Sequence, residues 1–234
     1  GVSSDASKGL GFDATCSLVV RVPDGEPLTV SATGDPDRNV IVWMDHRAKD
    51  QAKRINATGH PVLDYVGGTI SPEMETPKLL WLKENLPGTF DSAGDFFDLT
   101  DFLTWRATGD KSRSACTVTC KWTYLAHEDR WDPTYFDAIG LGDLCENGFA
   151  RIGHNVVAPG TALGQGLTVE AAADLGLSPG TPVAAGLIDA HAGGVGTIGA
   201  AGGSPETRMA YVFGTSACTM SSSAEKAFVP GVWG

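Results

Sequence analysis

The spacing of apolar and polar positions changes several times along the chain, and each change predicts an element. Residues 9–22 mix small, polar and apolar side chains ahead of Pro23-Asp24-Gly25, a strand running into a turn. Residues 40–43 form a short apolar run of buried-strand length. From Asp45 the pattern becomes helical, with Ala48, Ala52 and Ile55 on one stripe and Gly59 as the stop. Residues 77–86 carry Leu79, Leu82 and Leu86 at helical spacing, with Pro77 suited to the first turn. Residues 100–108 put Phe102, Leu103 and Ala107 on one face and end at Gly109. Farther on, Thr168 reads as an N-cap, Glu170 suits the first turn that follows, and the helix closes near Gly176. Residues 182–188 are a smooth apolar run, expected to be a strand buried on both faces. Residues 190–199 look helical with a contact side of Gly and Ala, and 208–213 read as another buried strand. Strands alternating with helices predict an α/β layer fold.

Composition adds exclusions. A chain of 234 residues, 42% apolar and 19% charged, fills a real core and is not a disordered tail. Its 17 basic and 28 acidic residues give a formal charge of −11, and no basic cluster offers a phosphate backbone a landing place, so nucleic acid is not an expected partner. Five cysteines (Cys16, Cys116, Cys120, Cys145, Cys218) suggest reduced, mostly buried thiols in a cytoplasmic protein rather than a disulfide framework. Cys116 and Cys120 do not have zinc-ligand spacing, and no metal site is expected. The longest uncharged stretches are broken by Gly and Pro, so no membrane association is expected either. The start at Gly1 without Met and the finish at Val232-Trp233-Gly234 read as cuts through a larger protein.

Three places carry candidate chemistry. Asp189 lies where an apolar strand gives way to a helix, the edge at which open α/β sheets bind ligands. It serves there either as a proton acceptor or as a helix cap. His191, two residues on, is expected to point elsewhere, solvated or packed. Gly194-Val195-Gly196-Thr197-Ile198-Gly199 satisfies the dinucleotide fingerprint, but it begins inside the expected helix, where glycines more naturally admit a close neighbour. Second, Gly214-Thr215-Ser216 follows a strand and offers backbone N–H groups and hydroxyls suited to phosphate. With Asp189 on another strand, it suggests phosphoryl transfer. Third, the small polar residues of Asp13-Ala14-Thr15-Cys16-Ser17 leave room for a polyhydroxylated ligand. Lys121 by itself reads as a surface lysine whose stem packs on Trp122.

Taken in order, GLGFDATCS (9–17), WMDHRA (43–48), GGTISPEM (67–74), PKLLWLK (77–83), FFDLTDFL (96–103), TCKWTY (119–124), GLIDAHAGG (186–194), GTS (214–216) and FVPGVWG (228–234) resemble the FGGY family of carbohydrate kinases, in its ribulokinase-like branch. The resemblance implies an actin-like ATPase (ribonuclease H-like) α/β fold. Residues 1–203 would hold most of the sugar-binding domain without its first strands, and 204–234 the opening of the ATP-binding domain. It implies ATP-dependent phosphorylation of a pentulose or related polyol, with Asp189 as the general base. Ala14, Thr15, Cys16, Lys121 and Asp189 would contact the sugar, and Gly214, Thr215 and Ser216 the ATP phosphates. ATP and Mg2+ are the implied cofactors, bound mainly by parts outside this chain. Sugar and ATP are the implied partners, and a homodimer stays open. The family's Asp-x-Gly-Thr phosphate motif is absent, so the segment alone is expected to be inactive. The remaining alternatives are a non-catalytic truncated sugar-binding segment and a dinucleotide-dependent oxidoreductase.

Overall fold

A computed structural model describes residues 4–200, 204–213 and 217–233. The strands are β1 (Leu10–Ala14), β2 (Leu18–Arg21), β3 (Val40–Ile41), β4 (Asp95–Asp98), β5 (Arg113–Ser114), β6 (Val156–Val157), β7 (Val183–Ile188), β8 (Met209–Phe213) and β9 (Ala217–Ser221). The helices are α1 (Lys49–Ala57), α2 (Glu75–Asn85), α3 (Pro87–Ser92), α4 (Leu99–Thr108), α5 (Ala115–Trp122), α6 (Pro133–Ala138), α7 (Glu146–Phe149), α8 (Val169–Leu175) and α9 (Asp189–Gly199).

The stretch 9–22 is two strands rather than one. The Ser17 N–H donates to Thr15 O at 2.8 Å, and this tight bend moves the chain from one sheet to another. Before the bend, β1 runs parallel to β7, with Leu10 beside Val183 and Ala14 beside Ile188. After it, β2 lies antiparallel between β3 and β4, and Leu18, Val19 and Val20 are completely buried. The main core gathers on that second sheet from Ile41, Ile55, Leu79, Leu82, Phe90, Phe96, Trp122 and Phe136. A smaller cluster of Ala107, Leu167, Ala172 and Val183 sits under the β1–β7 pair.

Turn chemistry ends the helices where the sequence says it should. Gly109 and Gly176 take left-handed conformations after α4 and α8, and Thr168 Oγ1 accepts the Ala171 N–H at 3.1 Å to start α8. Gly186 is required by proximity: a Cβ there would run into the Phe12 carbonyl oxygen and come within 2.5 Å of the Thr100 methyl.

The expectation of a buried strand at 208–213 does not hold. In β8 only Ala210 is buried, while Met209, Tyr211 and Phe213 are exposed, Phe213 by 74%. The cause is one-sided packing, since β8 pairs with β9 as a hairpin whose inner face rests on α9. A Cβ added at Gly194 would lie 2.8 Å from Met220 Cε and 3.7 Å from Ala210 Cβ.

Candidate active site

The carboxyl ends of β1 and β7 and the first turn of α5 come together at one end of the parallel pair. The chain is locked there by side chains clamping the β7 backbone. Ser114 Oγ donates to Gly186 O at 2.7 Å and accepts the Cys116 N–H, so the residue that caps α5 also fixes the strand. Thr100 Oγ1 donates to Leu187 O at 3.2 Å. Asp101 ties α4 to α5 by accepting the Ser114 N–H at 2.9 Å and the Thr117 hydroxyl at 2.7 Å.

Asp189 follows that clamped strand. Ile188 is the capping residue of α9 and Asp189 its first helical one, so the cap reading is not realised. The Asp189 side chain is exposed, and its Oδ1 accepts only the neighbouring Ala190 N–H at 2.8 Å among the described residues. A carboxylate at a helix N-terminus is favoured by the dipole and free to reach into solvent.

Ala14 pairs with Ile188 and therefore stands beside Asp189 across the two strand ends. Thr15 Oγ1 lies 3.2 Å from Ser17 Oγ, which in turn accepts the Trp43 N–H. Cys16 is buried, and burial holds its thiol far above the ordinary range, reinforced by Asp98 and Cys120 and opposed by the nearby Lys121 charge. Burial likewise pushes Cys116 up to about 12 and Cys120 up to about 11. All five cysteines are free, but only Cys16 is fully buried and the other four are half-buried, fewer than expected from their number alone.

Lys121 is not the surface lysine that its own sequence context suggests. It is only 9% exposed, and its Nζ sits 4.5 Å from the centroid of the Trp233 ring. Among the described residues no carboxylate stands within ion-pair distance of it. His191 packs rather than facing solvent: its Nδ1 is 3.1 Å from Cys116 Sγ. Burial and then the Lys121 charge hold its imidazole below the ordinary value, opposed by Asp189. His191 thus links the Asp189 end of α9 to Cys116 on α5, and the Lys121 charge acts on both His191 and Cys16.

Gly214, Thr215 and Ser216 lie outside the described residues, between β8 and β9. The fingerprint glycines 194–199 fall inside α9, five residues beyond its start, which is not the strand-to-helix turn a pyrophosphate requires. Among the described residues no group of three or more His, Cys, Asp or Glu side chains is placed to hold a metal ion. Two recesses on the surface lie away from the site, one around Gly9, Gly160 and Pro182, the other around Arg54, Lys83 and Ala138.

Beneath the site lies a set of buried charges that sequence reasoning missed. Glu75 and Lys78 pair at 3.3 Å with both side chains fully buried, and Glu75 Oε2 has no hydrogen-bond partner. Burial raises the Glu75 carboxyl to about 7, opposed by Lys78 and Lys121. Asp98 is raised well above its usual value by burial, with Asp101 and Glu75 adding to the effect. The signal available was a charged pair three apart within the apolar helix 77–86 and its preceding turn.

Comparison with known proteins agrees with this architecture. The profile for the N-terminal domain of the FGGY family of carbohydrate kinases matches residues 29–196. The chain is 56% identical over its whole length to an FGGY carbohydrate kinase domain-containing protein of Danio rerio, covering 45% of that protein. It is 40% identical over its whole length to a D-ribulokinase of Saccharomyces cerevisiae, covering 37% of it. The chain therefore spans less than half the length of these relatives. A xylulose kinase structure from Rhodospirillum rubrum superposes with a TM-score of 0.72 at 20% identity, over 96% of this chain and 44% of that one. The fold is that of the actin-like ATPase sugar kinases. On the profile match, which takes in most of its length, the chain belongs to the FGGY family of carbohydrate kinases.

Proposed function

We propose that the protein to which this segment belongs transfers the γ-phosphoryl group of ATP to a hydroxyl of a pentulose or related polyol. Asp189 accepts the proton of the attacking hydroxyl, the new O–P bond forms, the bond between the γ-phosphorus and its bridging oxygen breaks, and ADP leaves. The observation supporting this is an exposed carboxylate at the end of a clamped strand, with His191 two residues on packed against α5, the helix that carries the buried Lys121, which has no ion-pair partner among the described residues. Such an ammonium, whose charge acts on Cys16 next to Ala14 and Thr15 in the chain, would donate hydrogen bonds to sugar oxygens and fix which hydroxyl faces Asp189. The likeness to a D-ribulokinase favours a pentulose as the acceptor.

Residues 214–216 would hold the ATP phosphates, and a divalent cation bound with ATP would neutralise their charge. In this reading residues 1–203 are the sugar domain and 204–234 the start of the ATP domain. The protein works in the cytoplasm, and no helix among the described residues is long and apolar enough to cross a membrane.

The test is Asp189→Asn in the full-length protein, assayed with ATP and a panel of pentuloses. Loss of kcat by about 10²–10⁴ with sugar binding retained is expected. Unchanged turnover removes Asp189 from the chemistry, and absence of wild-type turnover on every pentulose removes the substrate class.

A further inference from the structure

Lys121 is covered by a part of the chain 112 residues away in sequence, and the way that part is held suggests a role for it. Residues 223–233 run back over the segment 61–67 as a strap tied to the domain through Lys226, Phe228 and Gly231. The Gly231 N–H donates to Gly67 O at 2.8 Å, and the Val232 N–H closes a turn onto Val229 O at 2.9 Å. Phe228 meets the Tyr65 ring edge-on at 4.9 Å between centroids. Lys226 Nζ donates to Tyr65 Oη at 2.5 Å and lies 3.4 Å from Glu128 Oε1. The fit at the turn is close: a Cβ on Gly67, which already has a φ of +73°, would lie 2.7 Å from Val232 N. The strap is therefore registered against the domain to within one side chain, and it ends by setting the Trp233 ring 4.5 Å from Lys121 Nζ.

Lys121 is 9% exposed with no carboxylate at ion-pair distance among the described residues, so its lost hydration costs free energy unless something else faces it. The indole face supplies part of that, and Trp233 is 39% exposed, so part of the residue is open to a ligand. Resting on the sugar-kinase reading above, we propose that Trp233 is a specificity-determining residue for the sugar: it shields one side of the Lys121 ammonium from water and presents its ring as a wall against the C–H face of a bound pentulose. With water excluded on that side, the ammonium's N–H donors are directed at sugar hydroxyls, where a hydrogen bond from a charged donor in a dry site is strongest.

Two measurements on the full-length protein test this. The first is acetylation of Lys121 by an amine-reactive reagent, followed by peptide mass spectrometry, in wild type, Trp233→Ala and Trp233→Phe. Lys121 is expected to react slowly in wild type and in the Phe variant, several-fold faster in the Ala variant, and to be protected in wild type by a saturating pentulose. Equal labelling in wild type and the Ala variant overturns the cover. The second is steady-state kinetics. Trp233→Ala is expected to raise KM for the pentulose about tenfold while KM for ATP and kcat stay within about twofold, and Trp233→Phe to recover most of the loss. An unchanged sugar KM, or equal damage to kcat and the ATP KM, overturns the role in sugar recognition. Labelling that depends on Trp233 but is protected by no pentulose supports the cover and overturns the sugar reading, so the two failures are told apart.

Discussion

Glu75 Oε1 and Lys78 Nζ stand 3.3 Å apart, one turn from each other on α2, with no solvent exposure of either side chain. Removing one partner leaves a bare charge in the core. Lys78→Met is expected to destabilise the folded protein by about 3–5 kcal/mol in urea unfolding. A loss below about 1 kcal/mol would mean that water reaches the pair.

The same burial gives an unusual pH dependence. Glu75 is raised from 4.5 to about 7 and Asp101 from 3.8 to about 6, in both cases chiefly by burial. Both groups bind protons more tightly folded than unfolded, so their protonation stabilises the fold. That stability is fully present below the unfolded values and declines as pH rises, through about 6 for Asp101 and about 7 for Glu75. The melting temperature is expected to be higher at pH 5.5 than at pH 8, and Glu75→Gln to flatten the upper part of that slope. A Tm that rises from pH 5.5 to 8 contradicts it.

Asp101 holds the start of α5 by two hydrogen bonds, and α5 carries Lys121. Asp101→Ala is expected to cost about 3 kcal/mol, because it strands the Ser114 N–H and the Thr117 hydroxyl as well as losing charged hydrogen bonds. Amide hydrogen exchange at Ser114 and Cys116 should accelerate in the variant before exchange elsewhere does, and uniform acceleration would mean that only global stability fell.

Gly186→Ala forces a methyl against the Phe12 carbonyl and the Thr100 side chain, and the first of these is backbone that cannot turn aside. About 1–3 kcal/mol of destabilisation is expected, read as a Tm lowered by about 2–4 °C per kcal/mol. A variant as stable as wild type would show that β1 and β7 are free to separate.

The thiols of Cys116 and Cys120, raised by burial to about 12 and about 11, hold little thiolate at neutral pH. Alkylation followed by mass spectrometry should label both far more slowly at pH 7.5 than in the urea-unfolded chain. Native labelling as fast as unfolded labelling would place them in water.

What could be read from residue order was local. The glycine stops of α1, α4 and α8 were legible, as was the stripe of α1, because a 3.6-residue period and a left-handed glycine are short-range constraints; on α4 the buried positions are Thr100, Asp101, Thr104 and Ala107, so of the expected face only Ala107 is buried. The bend at 15–17 was not, because a backbone bond between Thr15 and Ser17 leaves no mark on apolar spacing. The exposure of β8 escaped for a related reason: an apolar run says what a strand can bury, not what arrives to cover it. At the site, Asp189 could be picked out as the acid after a buried strand. Lys121 could not be judged from its own neighbours, since the ring it faces is Trp233, far along the chain. Glu75 and Lys78 drew no notice in the sequence, because nothing in their spacing shows that the packing of α2 encloses both.

Gly194 admits the β8–β9 hairpin against α9, and α9 opens with Asp189, about 7.5 Å of helical rise earlier. The proposed proton acceptor and the hairpin whose connecting residues are proposed to grip phosphate are thus joined through one helix. Any motion between them has to open the close contact that Gly194 makes with Met220 and Ala210.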